Sequence, residues 1–235
     1  MTQVVVIGAN GGIGSEFIRQ LRKVYPNKVI ATYNRLAPET NYADVDYRTL
    51  DITHEEKIRT FCESLERVTL FINAVGFLHN TQYSPEKTIK QASTDYFMES
   101  MRINALPTLL FARYLAPNLR HDKQAVFATV SARVGSIEEN YLGGWFSYRA
   151  SKAALNQVLK TLSIEWQRSM KNVCVAALHP GTTDTSLSKP FQRNLPEGQL
   201  QTTEYSVESM LKIIENLTPK ETGRFWSFDG EQLPW

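Results

Sequence analysis

Val4-Val5-Val6-Ile7 runs directly into a glycine cluster, Gly8-Ala9-Asn10-Gly11-Gly12-Ile13-Gly14, and together they leave the chain few ways to fold. The apolar run is short and β-branched, which predicts a strand buried on both faces of a sheet. From Gly12 the apolar spacing changes to every third or fourth residue, at Ile13, Phe17, Leu21 and Val24, which predicts a helix. Pro26-Asn27 then punctuates, and Lys28 to Tyr33 predicts a second strand. Strand, tight turn, helix and strand within about 30 residues is the size of a parallel βαβ unit.

The alternation continues to the end of the chain. Strands are expected at Arg48–Ile52, Leu70–Asn73, Ala125–Val130, Val173–Leu178 and Arg224–Phe228. Helices are expected at Glu55–Leu65, Asp95–Leu119 with a bend near Asn104 and Pro107, Ser147–Ser169 and Glu204–Leu217. This order predicts an α/β protein: a single doubly wound Rossmann-fold domain over residues 1–235, its mainly parallel seven-stranded sheet flanked by helices. No repeat or linker divides it. The polar stretch 186–203, punctuated by Pro190 and Pro196, reads as a mobile substrate-binding loop or lid.

Composition narrows the function classes. Hydrophobic residues make up 42% of the 235, enough to exclude disorder as the main state. A formal charge of +2 gives no case for binding nucleic acid. Two cysteines, Cys62 and Cys174, imply no disulfide framework and fit a reducing cytoplasm. No signal peptide and no membrane span are expected. The four histidines lack metal-ligand spacing, so no metal site is expected.

The glycine turn between the first strand and first helix is suited to a diphosphate. Glycine lets phosphate approach the chain without a Cβ clash, and the helix points free N–H groups at that space. There is no Gly-Lys-Ser/Thr, which disfavours a P-loop and leaves a dinucleotide. The second strand ends Thr32-Tyr33-Asn34-Arg35, without an acid to accept from a ribose 2′-hydroxyl. Arg35 and Asn34 therefore point to NADP, with NAD as the alternative and a plain surface arginine as the simpler reading.

Tyr148 and Lys152 stand four apart on the strongest helical segment, hence on one face. A neighbouring ammonium is expected to lower the phenol's pKa toward the range useful for acid–base work on a carbonyl or alcohol.

With Gly8…Gly12-x-Gly14, Asn73-Ala74-Val75-Gly76, Asn104, Tyr148-x-x-x-Lys152 and Pro180-Gly181, the chain resembles the short-chain dehydrogenase/reductase family from end to end. The stretches Gly143 to Asn156 and His179 to Thr185 look closer to its C-factor-like or sniffer-like carbonyl reductase branch. The resemblance implies an NAD(P)H-dependent oxidoreductase with a small carbonyl or alcohol substrate, assembled as a homodimer or homotetramer. It implies Tyr148 as general acid–base, Lys152 as holder of the nicotinamide ribose, and Asn104 as anchor of a water linking Lys152 to solvent. Gly8, Asn10, Gly11, Gly12, Ile13 and Gly14 would cradle the diphosphate. Asp51 and Ile52 would face the adenine, and Asn73, Ala74, Val75 and Gly76 the adenosine ribose. Pro180, Gly181, Thr182 and Thr185 would hold the nicotinamide amide and diphosphate. Plainer readings stand beside these: Asn104 as part of the Pro107 bend, Asp51 as a helix cap, Pro180-Gly181 as a turn.

The chain departs from the family pattern where the substrate-binding serine is expected. Registered on Gly135, the usual Ser-Ser becomes Ser131-Ala132, so alanine takes the hydroxyl's place. Ser131 is the first candidate to replace it and Ser136 the second. Phe77, Trp145 and Phe191 suggest an apolar substrate pocket. A nucleotide-binding signalling or scaffold protein with incidental turnover remains as the rival reading.

Overall fold

In the computed structural model, which describes residues 2–235, the first apolar run forms β1 (Thr2–Ile7). Val4 to Ile7 are each at most 1% exposed. Their side chains alternate between two separate cores: Val5 and Ile7 enter one, Val4 and Val6 the other. This is the period of two that a strand covered on both faces requires.

α1 (Gly12–Val24) returns the chain to β2 (Val29–Tyr33), which pairs in parallel with β1. β3 (Val45–Thr49), α2 (Glu55–Glu63) and β4 (Arg67–Asn73) follow. Two helices, α3 (Thr94–Asn104) and α4 (Leu106–Leu119), lead to β5 (Ala125–Val130). α5 (Phe146–Ser169) then precedes β6 (Val173–His179), and the short β7 (Thr182–Thr183) and β8 (Leu200–Gln201) pair with each other. α6 (Thr203–Asn216), β9 (Arg224–Ser227) and β10 (Gln232–Leu233) complete the chain.

Among the described residues the main sheet has eight strands in the order β10-β9-β6-β5-β4-β1-β2-β3, parallel except for β10. From β1 the chain first builds outward through β2 and β3, then crosses back to place β4 on the other side. The order therefore reverses between β1 and β4, and a crevice opens beyond their carboxyl ends, where ligands bind in open α/β sheets. α1 and α6 cover one face with Phe17, Leu21, Val207 and Met210. α2, α4 and α5 cover the other, where Phe71 stacks on Phe127 at 4.7 Å between ring centres and Trp166 meets Phe127 edge-on.

The larger departures from the sequence reading are an added strand, a shifted strand and a divided helix. The eighth strand, β10, has two residues, too few for periodicity to register. β3 lies at 45–49 rather than 48–52: it is an edge strand whose Asp46 and Arg48 face solvent, and the apolar Leu50 and Ile52 belong to the turn after it. The expected long helix is two helices broken at Ala105, with Pro107 in the first turn of α4, where its missing N–H costs nothing. Segment 186–203 contains a 3-10 helix, Lys189–Asn194, and is anchored at its end by β8.

Candidate active site

A cleft of about 790 Å³ lies over the carboxyl ends of the strands. Its floor is the glycine turn. Gly8 sits at φ +101°, and a Cβ there would stand 2.9 Å from Val75 Cγ2. A Cβ on Gly14 would stand 2.0 Å from the Gly8 carbonyl oxygen, so only glycine lets the first turn of α1 press against the loop. The N–H groups of Gly8 and Ala9 both donate to Thr32 O, which fixes the turn to β2. α1 starts with no side-chain cap and no acid in its first turn, leaving its N–H groups and positive dipole end to an anion.

Around this floor the cleft is lined by Asn10, Gly11, Gly12, Ile13, Asn34 and Ile52. Ala74, Val75 and Gly76, then Pro180, Gly181, Thr182 and Thr185, line it as well. Gly14, Arg35, Asp51, Asn73 and Asn104 do not. Arg35 is exposed beside Asn34. Asp51 accepts from the Thr53 N–H and hydroxyl at 3.0 and 2.7 Å, the geometry of a turn cap. Asn73 buttresses the loop it precedes, accepting from Val75 N–H at 3.1 Å and donating to Thr108 Oγ at 3.0 Å.

Tyr148 and Lys152 line the cleft from α5, at 6% and 2% exposure. Lys152 Nζ donates to Val130 O at 3.1 Å, and Gly135 leaves room for the Lys152 backbone and Cβ. Burial pushes the lysine pKa down to about 8. Burial also pushes the Tyr148 phenol above its usual value, with the nearby Tyr96 hydroxyl adding to the effect. The lowered phenol pKa expected from the sequence is therefore reversed in the protein alone, because desolvation sets the direction of the shift.

Asn104 sits at the α3–α4 break and is 2% exposed. Its amide accepts from Phe77 N–H at 2.7 Å and donates to Phe77 O and Ser151 Oγ, joining the loop after β4 to α5. Both ends of its side chain are thus occupied by the chain. Ser131 lines the cleft beside Ala132, and its hydroxyl lies 2.6 Å from Asn156 Oδ1. Ser136 lies outside it, near Trp235 O.

Trp145 and Phe191, expected from the sequence as pocket residues, line the cleft, but the cap on α5 and the backbone conformation at Trp145 escaped the sequence reading. Glu86, 2% exposed, caps α5 by accepting from the Ser147 N–H at 3.2 Å and from the Ser147 hydroxyl. The backbone carbonyl of Glu86 also accepts from Trp145 N–H at 2.5 Å. Trp145 is held there at φ +52°, a left-handed conformation rare for a bulky residue. It stands edge-on to Tyr148 at 6.1 Å and to Phe191 at 5.0 Å, forming an aromatic wall. Phe77 turns away toward Tyr96, and Leu78 lines the cleft instead.

The family model for short chain dehydrogenases matches residues 2–196. The chain is 31% identical over 235 residues to 1-hydroxy-2-glutathionyl-2-methyl-3-butene dehydrogenase of Rhodococcus sp. (strain AD45), covering 100% of both. It is 35% identical over 133 residues to C-signal of Myxococcus xanthus, covering 57% of this chain and 75% of that one. Among solved structures it superposes on the NADPH-bound carbonyl reductase from chicken fatty liver at a TM-score of 0.85 and 25% identity, covering 100% of this chain and 96% of that one. The carbonyl reductase Sniffer of D. melanogaster gives the same TM-score at 19% identity and full coverage of both chains.

Proposed function

The chain belongs to the short chain dehydrogenase family, and from that premise we propose how its own residues divide the work of an NAD(P)H-dependent oxidoreductase. The enzyme acts on carbonyl and alcohol groups, with NADP as its cofactor. The observation that carries the division of labour is the buried Tyr148–Lys152 pair, which shares one cleft with the Gly8–Gly14 cradle. Glycine at both positions lets the loop fold tightly against α1, whose first-turn N–H groups carry no side-chain cap and are left for a diphosphate. The cradle fits the cofactor, which when bound supplies the hydride.

The remaining chemistry falls to side chains. Tyr148 holds the proton that passes to the substrate oxygen, and burial keeps it protonated near neutral pH, the form that reduction needs. Lys152 has two N–H groups beyond the one given to Val130, and these are the donors we assign to ribose hydroxyls. Asn104 keeps α5 and the Gly76–Phe77 loop in register. Ser131 polarises the substrate oxygen in place of the serine lost at Ala132. Asn34 and Arg35 receive the 2′-phosphate.

Trp145, Phe191, Leu78 and Leu187 support an apolar carbonyl substrate. Ser186, Ser188 and Leu195 also line the cleft, which supports segment 186–203 as the part that covers it. The exposed Phe97, Met98, Leu106, Leu109 and Ile164 on α3, α4 and α5 support assembly as a homodimer or homotetramer. No helix among the described residues is long and apolar enough to cross a membrane. The signalling or scaffold reading is not favoured: the match to C-signal covers 57% of the chain and that to the dehydrogenase all of it.

The test is NADPH oxidation against a panel of aldehydes, ketones and quinones, comparing the wild type with Tyr148→Phe. Loss of about 100-fold or more in kcat with NADPH affinity retained is expected. Equal rates would reject the assignment.

A further inference from the structure

Ser131 and Asn156 are each 3% exposed, and they face one another at the end of β5. Asn156 follows Lys152 by one helical turn, so two neighbouring side chains of α5 grip successive residues: Lys152 holds Val130 O and Asn156 holds the Ser131 hydroxyl. The carboxamide has a second feature. Its Nδ2, a buried group with two protons to give, has no hydrogen-bond partner among the described residues. Burying an unpaired N–H donor is costlier than leaving a carbonyl oxygen under-used. A half-turn of the amide exchanges the two atoms and removes the problem. The N–H then donates to Ser131 Oγ, and the serine proton, no longer committed to Asn156, is free to point into the cleft that Ser131 lines.

We propose that Asn156 is a positioning residue: its amide N–H fixes the Ser131 oxygen and so aims the serine hydroxyl at the substrate oxygen. The arrangement supplies from one residue earlier the donor that Ala132 lacks. The inference rests on the carbonyl reductase reading above, and the experiment separates the two.

Ser131→Ala, Asn156→Asp and Asn156→Ala are compared with the wild type, using NADPH and the panel compound that the wild type reduces fastest. Ser131→Ala should lower kcat by about 100-fold, the cost of one oxyanion donor. Asn156→Asp should lower it comparably at pH 8, because an ionised carboxylate takes the serine proton for itself. Its activity should recover as the pH falls and the carboxyl regains a proton to donate. Asn156→Ala, which leaves the serine unaimed, should lose activity without acid recovery. NADPH affinity should stay unchanged in all three.

Wild-type kcat in Ser131→Ala, or an Asn156→Asp that is fully active or shows no acid recovery, would overturn the proposal. If Asn156→Asp fails to fold, Ser131→Ala, Asn156→Ala and the double variant decide: non-additive losses support the coupling and additive ones refute it. No turnover by the wild type, or full activity in Tyr148→Phe, would instead sink the oxidoreductase reading and this inference with it.

Discussion

Lys152 Nζ stands 5.9 Å from the centre of the Tyr148 ring and gives its observed hydrogen bond to Val130 O. The two groups share a buried environment that acts on them in opposite directions, raising the phenol and bringing the lysine down to about 8. Each is biased toward its neutral form: the phenol stays protonated, and the lysine keeps its charge only below about 8. A bound cofactor, with its ribose hydroxyls and phosphates, can restore the lysine's charge by giving the ammonium partners.

NADPH affinity should therefore depend on pH. Below about 8 the lysine is charged before the cofactor arrives. As pH rises through that value the cation is lost, and binding should weaken by up to about tenfold per unit, the limit for one coupled proton. Fluorescence titrations of NADPH at pH 7 and pH 9 read this directly. Lys152→Met should bind weakly at both pH values with a much smaller difference between them. A wild-type affinity flat across this range would mean that Lys152 does not contact the cofactor.

The cradle makes a sharper contrast between two glycines three residues apart. Gly14→Ala places a methyl 2.0 Å from the Gly8 carbonyl oxygen, which is held by the Gly11 N–H at 3.1 Å. A loss of about 1–3 kcal/mol in stability and of most NADPH binding is expected. Gly11 sits at an ordinary φ of −76°, and its nearest obstacle is 3.6 Å away. Gly11→Ala should cost less than about 1 kcal/mol. Thermal melts and NADPH titrations distinguish the pair, and equal effects would remove the geometric argument.

Glu86 reaches α5 from a loop 61 residues before Ser147. Glu86→Ala removes the cap and leaves the Ser147 donors buried without an acceptor, at a cost of about 2 kcal/mol. Because Tyr148 is the next residue and Trp145 leans on the same loop, kcat should fall while NADPH affinity holds. Glu86→Gln keeps one acceptor oxygen and should lie between the two. Steady-state kinetics with a chemical melt test the ordering; a Glu86→Ala protein of wild-type stability would show that the cap carries no weight.

What was legible in the sequence follows from how local the signal is. Val4–Ile7 and Val173–Leu178 are buried on both faces, so their apolar runs are unbroken and easily read. Tyr148 and Lys152 share a helix, so spacing alone placed them together. β3 was misplaced because an edge strand need not be apolar. The Glu86 cap and the Ser131–Asn156 pair join residues distant in sequence, and no periodicity announces them. The direction of the Tyr148 shift depends on burial, a tertiary quantity that an adjacent lysine cannot reveal.

His179 ends β6 and lines the cleft, where its Nδ1 accepts from the Arg133 N–H at 3.3 Å. Burial first and the Arg133 cation second push its pKa down to about 4 from the ordinary 6.5, with Asp229 opposing them weakly. The folded state thus binds its proton less readily than the unfolded chain. Between pH 6.5 and 4 the unfolded chain takes up the proton first, so this contribution to stability is complete above 6.5 and is lost as pH falls toward 4. Protonation would also remove the acceptor that Arg133 N–H uses. His179→Gln, which cannot titrate, should lose less stability than the wild type between pH 7 and pH 5. Urea melts of both proteins at the two pH values measure the difference. Parallel losses would show that the imidazole is as accessible to protons in the fold as out of it.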